Sequence, residues 1–162
     1  YRIKYWSFYY CTVSYYRHGR GCQRDEEDYG VIQEMSIYGI GVDLVNAERI
    51  QNLYQKYGDR FPKRILNDDE MDLFNKAKNK ERYLCNAFAG KEAAVKALGT
   101  GFSQGIHWKD FGLSRKSSGQ PELHYTNKIR QKFNTLGISS SHISISDDHP
   151  WSIAMVVLET ES

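Results

Sequence analysis

From residue 35 onward, apolar and polar residues follow each other with the spacing of regular secondary structure. An apolar run from Ile37 to Asp43 indicates a strand, and the polar residues that follow, to about Tyr57, favour a helix. In residues 81–98 apolar side chains recur every three or four positions, which predicts a long helix with one buried stripe. The members of that stripe are Leu84, Phe88, Val95 and Leu98.

After Gly105 the apolar runs become short, which predicts strands with one helix between them. That helix, residues 127–136, ends at Gly137. Acidic residues in the segment 67–70 favour a further short helix before the long one. The pattern therefore predicts an α+β fold, a small single domain in which a long helix packs on an antiparallel sheet. The predicted strands are residues 108–114, residues 122–125 after a turn at 117–121, and an antiparallel pair that flanks a turn at 147–150.

Residues 1–34 differ in character from the rest of the chain. Tyrosine and tryptophan crowd their first half without a regular period, and residues 24–28 are charged. No small-residue cleavage site follows an apolar core, so the segment does not have the pattern of a secretory signal. We expect Met35 to be the natural start of a domain over residues 35–162, and residues 1–34 to be a non-native or disordered extension.

Composition narrows the function classes. A chain of 162 residues suffices for one domain with a real core, and its formal charge of +2 does not favour nucleic-acid binding by net charge. The sequence has no apolar run long enough for a membrane span. Its three cysteines lack Cys-x-x-Cys spacing, which argues against a disulfide framework or a zinc site and favours a cytoplasmic protein.

Three charged residues are the first candidates for chemistry. Glu92 and Lys96 lie one helical turn apart, just before Gly99 and Gly101, and a carboxylate and an ammonium so placed suit a phosphate and its metal. The alternative is an ordinary pair at i,i+4 on the helix surface. Asp43 could join Glu92 as the second carboxylate of a magnesium site, although an aspartate there could equally cap the following helix.

Two long motifs and three shorter stretches, over roughly residues 35–160, resemble the bacterial holo-acyl-carrier-protein synthases, a branch of the 4′-phosphopantetheinyl transferases. The long motifs are Gly39-x-Gly41-x-Asp43-x5-Arg49 and Phe88-x-x-Lys91-Glu92-Ala93-x-x-Lys96-Ala97-x-Gly99-x-Gly101. The shorter stretches are Arg64-Ile65-Leu66, Gly119-Gln120-Pro121, and the segment from His142-Ile143-Ser144-Ile145-Ser146 to Val157.

The resemblance implies a magnesium-dependent transfer of 4′-phosphopantetheine from coenzyme A to a serine of apo acyl carrier protein. Adenosine 3′,5′-bisphosphate is released, and the reaction supports fatty-acid biosynthesis and thus lipid metabolism. Asp43, Glu92 and Lys96 are the implied catalytic residues, and Asp43 and Glu92 the implied ligands of Mg²⁺. Glu92, directly or through a water, is the candidate for removing the serine proton.

The resemblance also implies binding surfaces and an assembly. The family's small members are usually homotrimers with the active site between subunits, so Gly119 and Pro121 would face coenzyme A bound largely to a neighbouring subunit. Basic residues after Asp43 would dock the acidic carrier protein. The implied contacts with coenzyme A are Lys96, Gly99, Gly101, Gly119, Pro121 and Asp147, and those with the carrier protein are Arg49, Lys56, Arg60 and Arg64.

Three positions depart from the family pattern. Ala87 replaces an arginine, Gln120 replaces a lysine, and Asp147 occupies a position where histidine is common. Loss of two positive charges predicts weak coenzyme A binding, or compensation by Arg115 or Lys116. Two alternatives remain at this point: a non-catalytic module that binds coenzyme A or a carrier protein, and a transferase for a secondary-metabolite carrier domain.

Overall fold

The first strand runs further than its sequence pattern predicts. The computed structural model describes residues 35–161, so the prediction for residues 1–34 lies outside the described residues. Strand β1 spans Met35–Asn46, and helix α1 spans Ala47–Tyr57. The side chain of Asn46 caps α1 by accepting a hydrogen bond from the Glu48 amide at 2.7 Å. The alternative in which Asp43 caps this helix is therefore wrong, because Asp43 lies within the strand.

Three more helices precede the second half of the chain. Helix α2, Arg60–Ile65, was not predicted, whereas the short helix with an acidic start is confirmed as α3, Asp68–Lys76. A capping box closes the start of α3, since Asn67 and Glu70 each accept a hydrogen bond from the other's backbone amide at 2.9 Å. The predicted long helix is confirmed as α4, Lys80–Ala97.

The second half contains four strands and one helix. A short 3₁₀ helix at Trp108–Asp110 precedes strand β2, so the strand predicted to begin at residue 108 begins at residue 111. The 3₁₀ turn forms because the Asp110 carboxylate accepts a hydrogen bond from the His107 amide at 2.8 Å. The elements that follow it are β2 Phe111–Arg115, β3 Pro121–Tyr125, α5 Asn127–Thr135, β4 Ile138–Asp148 and β5 Trp151–Glu161.

The strands form two antiparallel sheets. Strands β1, β5 and β4, in that spatial order, make the larger sheet, and β2 pairs with β3. Helix α4 packs on β1 and β5, and the predicted stripe on this helix is buried. The α+β class is confirmed. Within residues 35–161, no helix is both long enough and apolar enough to span a bilayer.

Helix α4 comes unusually close to β1 because two strand positions carry no side chain. A methyl group on Gly39 would overlap the carbonyl oxygen of Ala97. One on Gly41 would overlap the Ala93 carbonyl oxygen and the Ala97 amide nitrogen. These neighbours are backbone atoms of a helix and cannot move aside as a flexible side chain could. The strand and the helix therefore touch backbone to backbone.

Replacing Gly41 with alanine should destabilise the protein by about 1–3 kcal/mol, because the new methyl group must push α4 away from the sheet. Urea unfolding followed by circular dichroism measures the effect. Ser139→Thr adds one methyl group at an exposed position of β4 and should change the stability by less than about 0.5 kcal/mol. Equal stability of Gly41→Ala and the wild type would contradict the close packing.

Candidate active site

Asp43, Glu92 and Lys96 meet where α4 crosses β1. The Lys96 ammonium donates hydrogen bonds to Asp43 Oδ1 at 2.6 Å and to the Val42 carbonyl oxygen at 3.0 Å. Lysine 96 thus forms its ion pair with the strand, and the alternative of an ordinary Glu92–Lys96 surface pair is wrong. The side chains of Lys96 and Asp43 are 30% and 15% exposed, so a ligand can reach them.

The two carboxylates influence each other's ionisation. Burial, and next the charge of Asp43, raise the pKa of Glu92 to about 7, and the positive charges of Lys96 and Arg49 oppose this rise. Burial also raises the pKa of Asp43, although the hydrogen bond from Lys96 acts in the opposite direction. Two carboxylates that disfavour each other's charge form a site where a cation would be stabilising.

This donor set fits a magnesium ion. Among residues 35–161 there is no group of three or more histidine, cysteine, aspartate or glutamate side chains that could hold a metal. Magnesium needs no such group, since it commonly takes one or two carboxylates and fills its other positions with waters and phosphate oxygens. Asp43 and Glu92 are the residues that would hold it, and the partly exposed site leaves room for its other ligands.

A row of aromatic rings supports the arginine beside these carboxylates. The Arg49 guanidinium lies over the Phe88 ring, 5.5 Å from its centroid. Phe88 packs against Trp108 with a centroid distance of 4.7 Å, and Trp108 stacks on Phe102 at 3.9 Å. The stack fixes the guanidinium near the site, where its charge favours the ionised forms of Asp43 and Glu92.

The backbone conformation after α4 explains why glycine occupies positions 99 and 101. Gly99 and Gly101 have φ angles of 76° and 57°, in the left-handed region that glycine enters most easily. The amides of Thr100 and Gly101 both donate to the Val95 carbonyl oxygen at 3.2 Å and close the end of the helix. Both glycines lie within five residues of Lys96 along the chain, and their proposed contact with coenzyme A stays a prediction.

Asp147 is tied to the first half of α4, away from Glu92. Arg82 donates through Nε and Nη2 to the two oxygens of Asp147, and the Asn86 amide donates to Oδ2 at 3.1 Å. These bonds lower the pKa of Asp147, chiefly through the hydrogen bond from Arg82. Asp147 lies on β4, and β5 separates it from Asp43 on β1, which places it about 10 Å away across the sheet. The sequence did not identify Arg82 or Asn86.

The last proposed contacts with coenzyme A lie on the β2–β3 hairpin. Gly119, with φ of 87°, sits in its turn, and Pro121 begins β3. Pro121, Gln120 and Lys116 line one side of a groove of about 290 Å³, and residues of β4 line the other. These positions are therefore also on the β4 side of the sheet, not beside Asp43. No single site in one chain gathers all the predicted residues.

The positions that depart from the family pattern have different surroundings. Ala87 is only 4% exposed, whereas Gln120 is on the surface. The Arg115 guanidinium donates to the Gly119 carbonyl oxygen at 2.9 Å and contributes to the low pKa of Asp147. Lys116 lines the same groove as Gln120. Compensation by Arg115 or Lys116 stays a prediction.

The four residues proposed to dock a carrier protein are exposed on two consecutive helices. Arg49 and Lys56 lie on α1, and Arg60 and Arg64 lie on α2. We call these four residues the basic surface. A shallow groove of about 430 Å³ runs along α1 and includes both Arg49 and Lys56. The groove adjoins the site, because α1 begins directly after the strand that carries Asp43.

Sequence reasoning missed a buried ion pair between Lys91 and Glu70. The ammonium of Lys91 is fully buried and lies 2.6 Å from Glu70 Oε2. A signal was available, because Lys91 falls between Phe88 and Val95 within the stripe of α4 that is otherwise apolar. A charged residue at such a position requires a buried partner.

Comparison with known sequences and structures agrees with this geometry. Residues 39–154 match the 4′-phosphopantetheinyl transferase superfamily. The holo-[acyl-carrier-protein] synthase of Vibrio parahaemolyticus is 41% identical over 126 residues, which cover 78% of this chain and all of the relative. The likeness thus extends beyond the motifs to the whole length of the relative.

Solved structures show the same fold. Holo-[acyl-carrier-protein] synthase from Neisseria meningitidis aligns with a TM-score of 0.74 and 36% identity, over 76% of this chain and 98% of that one. The Helicobacter pylori enzyme, crystallised in complex with coenzyme A, aligns with a TM-score of 0.65 and 30% identity, over 74% and 98%. The chain therefore belongs to the holo-[acyl-carrier-protein] synthases of the 4′-phosphopantetheinyl transferase superfamily, a family of enzymes.

Proposed function

We propose that this enzyme transfers 4′-phosphopantetheine from coenzyme A to a serine of an apo acyl carrier protein, with Mg²⁺, in the cytoplasmic synthesis of fatty acids. The observation that carries the proposal is the convergence of Asp43, Glu92 and Lys96 at the crossing of β1 and α4. Two carboxylates and one ammonium, partly exposed, supply the charges that a pyrophosphate with its metal requires. Relatives named for this activity and the coenzyme A complex of the Helicobacter pylori enzyme support it.

The reaction is an in-line displacement at phosphorus. The serine oxygen attacks the β-phosphorus of coenzyme A, a phosphodiester bond forms, and adenosine 3′,5′-bisphosphate leaves with the bridging oxygen. Asp43 and Glu92 would hold Mg²⁺, which would supply positive charge against the pyrophosphate oxygens. Glu92 accepts the serine proton, directly or through a water. Lys96 holds Asp43 in place and contacts the phosphates when the substrate is bound.

Glu92→Gln should slow the transfer about 100-fold or more, since it removes the negative charge of a proposed metal ligand and the proposed base without changing the side chain's shape. The measurement is the intact mass of apo acyl carrier protein incubated with the enzyme, coenzyme A and Mg²⁺, which should increase by one phosphopantetheine unit. Glu81→Gln, the same change in the first turn of α4, is the matched control and should act like the wild type.

Omission of Mg²⁺ with a chelator present should also abolish the mass increase. No modification by the wild type, despite measurable coenzyme A binding by calorimetry, would favour a non-catalytic binding module. Modification of a secondary-metabolite carrier domain in preference to the fatty-acid carrier would point to the alternative substrate.

The basic surface supports recognition of an acidic partner. Its side chains are exposed on α1 and α2, and the Arg49 side chain extends from this surface to Phe88 beside the carboxylates. A carrier protein bound there would place its serine near Glu92. Complementary charge of this kind mainly speeds encounter and weakens with ionic strength.

Charge reversal by Arg60→Glu together with Arg64→Glu should raise the KM for the carrier protein about tenfold, equivalent to about 1.4 kcal/mol, with little change in kcat. Steady-state kinetics at low and high salt measure this, and the difference from wild type should shrink as salt increases. Arg130→Glu makes one such charge change on the exposed face of α5 and serves as the control. An equal rise in KM for Arg130→Glu would mean that net charge, not the basic surface, determines binding.

The outer side of the larger sheet supports the proposed homotrimer. Its apolar side chains are 41–55% exposed, and β1 and β5 pair them side by side. An exposed apolar patch of this kind marks an interface, since monomeric proteins seldom leave so many such side chains together in water. We call this set the outer apolar face; its members are Ile40, Val42, Leu44, Ile153 and Met155.

Met155→Lys should convert the trimer to monomers, because it would bury an unpaired charge in the interface. Light scattering coupled to size-exclusion chromatography gives the mass, and the specific activity should fall with it. Asn134→Lys, on the exposed surface of α5, is the matched control. A monomeric wild type with full activity would contradict the trimer.

A further inference from the structure

The Lys91–Glu70 pair is buried in the interior beside the active-site helix. Lys91 has no exposed surface and Glu70 is 2% exposed, so neither group can touch a substrate. Lys91 immediately precedes Glu92 on α4, and adjacent helical residues project about 100° apart. Within one helix turn, Lys91 thus points to the interior and Glu92 to the active site.

The pair joins α4 to two stretches of the chain that are distant from it in sequence, residues 65–70 and 108–113. The Lys91 ammonium donates to Glu70 Oε2, to the Ile65 carbonyl oxygen at 2.5 Å and to the Trp108 carbonyl oxygen at 3.1 Å. Glu70 also accepts hydrogen bonds from the amides of Asn67 and Leu113, both at 2.9 Å. These bonds use all three donors of the ammonium. They connect α4 to the last residue of α2, the start of α3, the 3₁₀ turn and β2.

Stability alone does not explain a buried pair of this kind. Removing two charges from water costs several kcal/mol per ion, and well-packed apolar residues of similar volume are often as stabilising as a buried pair. Apolar residues cannot make directional hydrogen bonds. The hydrogen bonds of Lys91 and Glu70 to specific carbonyl and amide groups fix how the segments are placed relative to one another. Ile65 ends the helix that carries Arg60 and Arg64 of the basic surface.

We propose that Lys91 and Glu70 are positioning residues that fix the basic surface on α2 relative to Glu92, so that a docked carrier protein presents its serine at the reaction centre. The proposal rests on the proposed function for its consequence in catalysis. The proposal also requires a fixed distance between α2 and α4, and this distance can be measured whether or not the protein is active.

The test compares Lys91→Met with the double variant Lys91→Met, Glu70→Leu. The single change leaves an unpaired buried carboxylate and should destabilise the protein. The double change removes both charges and should recover part of the stability, because the Asn67 and Leu113 amides also lose the acceptor that Glu70 supplies. In the double variant, kcat with the carrier protein should still fall at least about tenfold, because small misplacements of reacting groups are costly. The Kd for coenzyme A, measured by calorimetry, should change less than about twofold.

Double electron–electron resonance spectroscopy, which measures the distance between two nitroxide labels, tests the placement of α2 without relying on activity. Nitroxides at Lys63→Cys on α2 and Lys80→Cys on α4 report the separation of the two helices, with Cys11 and Cys22 replaced by serine. Cys85 is buried, and burial is the main reason that its pKa rises to about 11, so it should not be labelled. The distribution should be narrow with the ion pair present and broader in the double variant.

A double variant that recovers stability, kcat and the narrow distance distribution together would overturn the proposal, since the pair would then be structural only. Recovery of stability with low kcat and a broad distribution would support it. If the wild type shows no transfer, the proposed function fails, and the distance distributions alone decide whether the pair positions α2.

Discussion

The approach of α4 to β1 is the constraint on which the site depends. Gly39 and Gly41 allow the helix backbone to lie directly against the strand, and any side chain there would overlap helix backbone atoms. Asp43 follows on the same side of the strand, so its carboxylate is within reach of Lys96. A larger separation would leave Lys96 without its bonds to Asp43 and to the Val42 carbonyl oxygen. The two glycines contribute no functional group to the site. They affect it by setting the distance between β1 and α4, and thus between Asp43 and Lys96.

Different sides of helix α4 contact different elements, and its side chains have correspondingly different roles. The larger sheet, α1, α3 and β2 all contact it, which is why residues on several of its sides are buried. Its first half binds β4 through Arg82 and Asn86, and its second half carries Glu92 and Lys96. A helix held on so many sides cannot rotate or slide freely. The positions of its charged side chains are therefore determined by the fold as a whole.

The periodicity of apolar residues was enough to predict most helices and strands, but not which charged side chains pair with each other. Long apolar stripes and strong turns identified α4, α5 and the strands, whereas α2 has six residues with a proline among them and shows too little period. Local spacing also suggested a Glu92–Lys96 pair, and the lysine instead binds Asp43, which is 53 residues away in sequence. Such long-range partners, like Glu70 for Lys91, are decided by tertiary packing. The structure does bring the three residues of the family motifs, Asp43, Glu92 and Lys96, close together, and their catalytic roles stay a prediction.

The positions of the remaining predicted residues are compatible with the proposed homotrimer, in which two subunits would contribute to one site. Asp43 lies on β1, at one edge of the larger sheet, while Asp147 and the groove lined by Pro121 lie at the β4 edge. A single coenzyme A contacting both edges of the same chain would have to cross the sheet. The outer apolar face lies on β1 and β5 of the same sheet and is exposed in a single chain. Covering it with another copy, as in the proposed homotrimer, would remove apolar surface from water, and a neighbouring subunit could then supply the residues that lie far from Asp43 within one chain.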